Sequence, residues 1–245
     1  MTDAMAESLL NYANSKGFRV LPRTVFVEGT SDVEIFHLAA QLEYEATGFH
    51  LLDGDLAIVS AGEGDEGGVR GVCRQLLVFS EFSSKILLPD GRKKYRFIAL
   101  MDNDDAGRST TKTIKNIHPR LVEFQDVFLL RPVMPLTSTL DPQGLQRTFE
   151  RENAAFRTLD WEIEDYLPKE FFDAFLDDRS NGIRSHVEQG GKVHREFAIH
   201  SKGEFHKFVR KHAMRSDLAE VIKVLLALRT YLRLPIHKSN SCASE

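Results

Sequence analysis

The chain has 245 residues, 42% of them hydrophobic and 28% charged, with a formal net charge of −4. That is enough apolar material for a sizeable core, and a charge balance that does not by itself advertise nucleic-acid binding. Two cysteines, Cys73 and Cys242, exclude a disulfide framework and a four-thiolate zinc site. The opening MTDAMAESLLNYANSKGF has neither a basic leader nor a long apolar core, so the expectation is a soluble cytoplasmic protein with no membrane segment.

Residues 1–22 read as an N-terminal helical lead, with a helix over 5–15 that ends at Gly17. Arg23 to Gly29, RTVFVEG, is β-branched and apolar up to Glu28, after which Gly29 turns the chain and Ser31 or Asp32 caps a helix over 32–44. Residues 48–60 hold one or two short strands, FHLLDG and LAIVSA, and the loop AGEGDEGG leads into a helix over about 69–82 that buries Cys73. Tyr95 to Met101 is a core strand, followed by a helix over 107–118 and a further strand, DVFLLR, at 126–131.

Strands alternating with helices predict an α/β fold, a parallel sheet of about four strands flanked by helices, over residues 23–135. From Leu136 the pattern changes to a helical C-terminal portion, 136–234, with helices at about 142–155, 162–178, 203–214 and 217–232 and no long apolar strand. Residues 235–245 read as a disordered tail.

The chemistry concentrates in Tyr95 to Gly107, YRFIALMDNDDAG, where a buried strand runs straight into Asp102, Asn103, Asp104 and Asp105. A strand that ends in acids delivers them to the carboxyl edge of a sheet, where open α/β folds bind ligands. Crowded carboxylates favour a hard cation, Mg²⁺ or Mn²⁺. A solvated acidic turn is the competing explanation. A Ca²⁺ loop fails because the fifth position is Ala106 and the twelfth is Thr113, and a Walker loop fails because Gly107 to Thr113 lacks the glycine before its lysine. Glu28 repeats the same logic at the tip of the earlier strand, and Asp32, four residues on, is close enough to face the same cavity or simply to cap its helix. Further on, Lys202, Lys207, Arg210, Lys211 and Arg215 form a basic segment compatible with a polyanionic substrate held partly through metal, or with a solvated helix face.

VEGTSD followed by a strand ending in DNDDAG resembles the TOPRIM domain, the metal-binding module of topoisomerases, bacterial primases and several nucleases. The matching positions are Glu28, Gly29, Asp102 and Asp104, and the likeness covers roughly residues 23–132. Within that superfamily the chain is most similar to OLD-type (overcoming lysogenization defect) nucleases and small TOPRIM effectors of phage defence. Their ExxxD is reproduced by Glu28 and Asp32. Their later acidic motif resembles WEIEDYLP, in which Glu162, Glu164 and Asp165 compete for the role, and their catalytic lysine corresponds to Lys202 in HSKGEFHKF.

What the resemblance implies is phosphodiester hydrolysis of DNA or RNA with two Mg²⁺ or Mn²⁺ ions. Glu28, Asp102 and Asp104 would hold one ion, Asp32 with Glu164 or Asp165 would help hold the second, and Lys202 would stabilise the phosphate or protonate the leaving oxygen. OLD nucleases carry an ATPase domain ahead of this module; here only about 20 residues precede it, so a separate ATPase or regulatory protein is the expected partner, with a homodimer also compatible. Two alternatives are a metal-binding TOPRIM regulatory or nucleic-acid-binding module that cleaves nothing, and a phosphotransferase or phosphatase using Asp102 as nucleophile. His194, His200, His206 and His212, six apart, would scatter over different faces of a helix and predict no metal face.

Overall fold

In the computed structural model, which describes residues 2–52, 54–62, 67–177 and 182–236, four strands form one all-parallel sheet. They are β1 (Arg23–Val27), β2 (Leu56–Ser60), β3 (Arg96–Met101) and β4 (Val127–Leu129), in the order β2-β1-β3-β4. Each strand is buried on both sides, which is why it reads as an unbroken apolar run. Alternate residues feed two separate cores: Val25, Val27, Ile98, Leu100 and Phe128 face one, while Phe26, Phe97, Ala99, Met101 and Val127 face the other.

Helix α2 (Thr30–Thr47) packs on the first face, whereas α1 (Thr2–Ser15), α3 (Gly68–Lys85) and α4 (Asp105–Ile117) pack on the second. From β1 the chain crosses to β2 on one side, then returns past β1 to β3 on the other. The leftward crossover helix α2 and the rightward helices α3 and α4 therefore lie on opposite faces, as crossovers of one hand require. The strand order reverses between β1 and β3, and a doubly wound sheet opens a crevice at the carboxyl ends of such a pair.

The C-terminal portion comprises α5 (Pro142–Glu152), two 3-10 turns (Ala154–Phe156 and Ile163–Tyr166), α6 (Lys169–Leu176), α7 (Ser201–His212) and α8 (Ala219–Tyr231). It also contains an antiparallel hairpin, β5 (Ile183–Gln189) and β6 (Lys192–Phe197), that the sequence pattern did not reveal. β5 is largely exposed and β6 only half-buried, and neither alternates apolar with polar residues, so period-2 hydrophobicity is missing; the two-residue turn Gly190-Gly191, with φ of 58° and 79°, is the signal that was present. The expected helix over 162–178 is broken because Pro168 holds Leu167 extended, at ψ 146°, leaving a 3-10 turn on one side and α6 on the other. The described residues of FHLLDG form no strand: Gly48, at φ 66°, ends α2 by donating its N–H to the Tyr44 carbonyl, and Leu51 is buried from a loop.

This portion shares its core with the sheet. One cluster joins Val25, Ile35 and Ile98 to Phe172, Phe205 and Leu225. Phe205, fully buried, packs its ring against Phe171, Phe172, Phe175 and Phe197, which locks α7 to α6 and the hairpin. Most of the expected disordered tail, residues 237–245, lies outside the described residues, as do Glu63, Asp65 and Glu66 of the glycine-rich loop. No helix among the described residues is long and apolar enough to cross a membrane.

Candidate metal centre

Glu28 and Asp102 are the first residues past β1 and β3, so the sheet's reversal point sets them side by side. The Asp102 backbone N–H donates to Glu28 Oε1 at 2.9 Å. One turn into α2, Asp32 accepts the Gly29 N–H through Oδ2 at 3.0 Å, which caps the helix and keeps its carboxylate at the crevice. Asp32 thus caps its helix and lines the crevice at once. Glu28, Asp32, Asp102 and Lys202 line one open cleft of about 610 Å³ with Gly62, Gly67 and Gly68. Gly68 donates to the Glu28 carbonyl at 3.1 Å, and a Cβ on Gly67 would stand 2.8 Å from the Gly62 oxygen, so this approach of the loop to Glu28 needs glycine there.

The acidic motif at 160–165 is tied directly to the DNDD turn. Asn103 and Trp161 exchange backbone hydrogen bonds, at 2.9 and 3.3 Å, and the Asn103 side-chain amide donates to the Leu159 carbonyl at 3.0 Å. Arg108 closes the join by donating to the Asn103 carbonyl at 2.9 Å, to Asp160 at 2.7 Å and to Asp105 at 2.6 Å. Residues nearly 60 positions apart are thereby held in register, and the 3-10 turn buries Glu164 near enough to the crevice for its charge to act on Asp32 and Asp102.

Lys202 enters from the first turn of α7. Its Nζ donates to Glu162 at 2.7 Å and lies 3.1 Å from Glu164 Oε1. His206, one turn along the same face of α7, meets Glu164 Oε1 through Nε2 at 2.5 Å. The role of His206 was legible only as Lys202 plus four.

The electrostatics follow from burial and crowding. Burial pushes Glu28 up to about 7, with Asp32 and Asp104 adding to the effect and the Asp102 N–H and Lys202 opposing it. Asp32 is raised to about 6 by burial and by Glu164, and Asp102 stands well above the carboxylate range for the same reasons, with Asp32 and Glu28 as its repelling neighbours. Glu164 goes the other way: burial would raise it, but Lys202 and His206 outweigh burial and hold it at about 2. Burial works against the charge on Lys202 too, yet Glu164, Glu162 and Asp102 together raise its pKa, so it stays an ammonium.

Asp165 sits apart from this cluster. Its Oδ2 accepts the Glu162 N–H at 2.9 Å and meets His194 Nδ1 at 2.7 Å, and its Oδ1 accepts the Arg195 N–H at 3.1 Å. Of the three acids competing in WEIEDYLP, Glu164 is the one whose charge acts on Asp32 and Asp102, while Asp165 fastens β6 to the 3-10 turn. Asp104 caps α4 by accepting the Gly107 N–H at 2.7 Å. It lines a second cleft, about 430 Å³, with Glu162, His194 and Lys202, so Lys202 stands between the two.

No protein-family model, curated protein or solved structure matches this chain. Its chemistry has to be read from the residues themselves.

Proposed function

We propose that this chain is an Mg²⁺- or Mn²⁺-dependent phosphodiester hydrolase that cleaves DNA or RNA, of the TOPRIM kind that VEGTSD and DNDDAG resemble. The observation that carries the proposal is the convergence of Glu28, Asp32, Asp102 and Lys202, from four separate elements, on one cleft at the reversal point of the sheet. The donor set fits a hard cation. Three of its carboxylates are raised by burial and by neighbouring acids, which a bound cation would relieve, and the Oε2 of Glu164, a side chain only 1% exposed, has no hydrogen-bond partner among the described residues.

Glu28, Asp32 and Asp102 of the open cleft, with Glu164 behind them and Asp104 in the adjoining cleft, would hold the ions. When bound, Mg²⁺ or Mn²⁺ supplies a polarised water and neutralises charge on the phosphate. Lys202, kept protonated by its acidic neighbours, provides a fixed positive charge for the phosphate oxygens and is a poor proton donor for the same reason. The likeness to small TOPRIM effectors extends the proposal to a defence or toxin-like role, restrained by a separate ATPase or regulatory protein, with a homodimer as the assembly to test.

A second reading, a binding module that cleaves nothing, has one observation in its favour. Among the described residues no three His, Cys, Asp or Glu side chains already converge as a ligand cage, and Lys202 pairs with two of the acids. One assay separates the two: purified protein with Mg²⁺ or Mn²⁺ and a panel of plasmid, single-stranded DNA and transfer RNA, beside a Glu28→Ala control. Metal-dependent cleavage lost in the control supports the hydrolase; an intact panel with unaltered nucleic-acid binding supports the module.

A further inference from the structure

His194 has no assigned part in the chemistry above, yet it is built like a working residue. It lies on β6 with its side chain 8% exposed, and its Nδ1 meets Asp165 at 2.7 Å. Asp165 is itself only 1% exposed and is fixed by two backbone N–H groups, from Glu162 and Arg195. A buried carboxylate locked from behind sets the orientation of an imidazole and stabilises its protonated form. With Nδ1 taken, Nε2 is the ring nitrogen left for a ligand, and His194 lines the 430 Å³ cleft that it shares with Asp104 and Lys202.

We propose that His194, oriented by Asp165, donates a proton to the leaving oxygen during phosphodiester hydrolysis. This rests on the hydrolase reading and fills the one role that Lys202 serves poorly. Water forms the new P–O bond and releases its proton to solvent, the bond from phosphorus to the leaving oxygen breaks, and that oxygen takes the proton from Nε2. Neutral imidazole remains, its Nδ1–H still on Asp165, and it regains a proton from solvent.

The surroundings agree. Asp165 and Glu162 act on the ring from the 3-10 turn and its cap and Asp160 from the preceding residues, while Asp104 from the cap of α4, Lys202 from α7 and the Arg184–Glu196 pair from the hairpin line the same cleft. Burial alone would strip the proton from His194, but Asp165, then Glu162 and Asp160, outweigh it and raise it above 6.5. Its neighbours therefore favour the protonated ring more than in an ordinary histidine.

A purely structural His194 would merely tie the hairpin to the 3-10 turn, so the deciding variant keeps the tie. Asparagine places an amide N–H where Nδ1 stands and has nothing in place of Nε2, so His194→Asn should leave the fold and the thermal midpoint near wild type. With Mg²⁺ or Mn²⁺ present, it should cleave DNA and RNA oligonucleotides about 10²- to 10⁴-fold more slowly, the usual contribution of general acid catalysis. It should act normally on bis(p-nitrophenyl) phosphate, whose leaving group departs without a proton. The alkaline limb of the wild-type profile on oligonucleotides should vanish with the activated diester, and nitrogen NMR of the metal-free protein should show His194 protonated at Nδ1 at neutral pH. Oligonucleotide cleavage within about twofold of wild type, or equal losses on both substrates, would overturn the role of His194. A wild-type protein inert toward both substrates would instead sink the hydrolase reading, and this inference with it.

Discussion

The candidate site is assembled from two halves of opposite electrostatic character. The sheet half, Glu28, Asp32 and Asp102, is a set of carboxylates pressed together by topology, each raised above its ordinary value by burial first and then by neighbouring acids: Asp32 and Asp104 for Glu28, Glu164 for Asp32, and Asp32 and Glu28 for Asp102. The helical half brings Glu164 already matched by Lys202 and His206, so its charge is stabilised and its pKa falls to about 2. Burial acts in the same direction on both; what differs is the supply of positive charge. A parallel sheet can place acids at one edge with ease, but their compensation has to arrive from another part of the chain, here α7, or from a bound cation.

The sharpest way to break the contrast is Lys202→Met, which removes the fixed ammonium and keeps most of the side chain's bulk. Loss of one preorganised charge on the reacting phosphate should slow metal-dependent cleavage by about 10²- to 10³-fold. Single-turnover rates at saturating Mg²⁺ check this, and a loss below about threefold would leave Lys202 a structural ion pair.

A second prediction uses pH. An acid whose folded pKa is raised penalises the native state once it ionises. Metal-free protein should therefore gain stability as pH falls from about 7 to about 5, when Glu28, at about 7, and Asp32, at about 6, take up protons. Glu164 acts in the opposite sense, but only below its ordinary value of 4.5, outside that window. Because protons and cations compete for the same oxygens, Mg²⁺ should raise the thermal midpoint more at pH 8 than at pH 5. A metal-free midpoint that climbs steadily from pH 5 to pH 8 would contradict the raised values.

Smaller effects separate the crevice from its surroundings. Alanine at Gly107 would put Cβ 2.0 Å from the Asp102 carbonyl oxygen, so Gly107→Ala should cost about 1–3 kcal/mol in denaturant unfolding. At Gly203, exposed in α7 with open space around it, alanine should instead stabilise by about 0.5–1 kcal/mol. Equal effects at the two glycines would deny the crevice its close packing.

How far the sequence reveals this molecule depends on whether a signal is local. The sheet and its flanking helices were legible because buried strands of Val, Phe and Ile end abruptly in Glu28 and Asp102, and each acid is followed by a turn and a helix. Position in space was partly legible too, since residues past the carboxyl ends of parallel strands share an edge. The choice among Glu162, Glu164 and Asp165 was not, because it depends on the Asn103–Trp161 pairing and on which carboxylate meets β6. The placing of the histidines was hidden for a related reason: their spacing of six says nothing of their elements, but His194 lies on a strand and His206 on α7, and they contact neighbouring acids, Asp165 and Glu164.

The central claim is that Glu28 and Asp102 meet to hold a divalent cation, and direct Mn²⁺ binding tests it without reference to any substrate. Titration of the metal-free protein, followed by calorimetry or by loss of the free Mn²⁺ electron paramagnetic resonance signal, should show saturable binding at neutral pH. Glu28→Gln and Asp102→Asn, which keep shape and remove charge, should each weaken it by about tenfold or more. Wild-type protein that binds no Mn²⁺ at millimolar concentration, or variants that bind it as well as wild type, would contradict the claim.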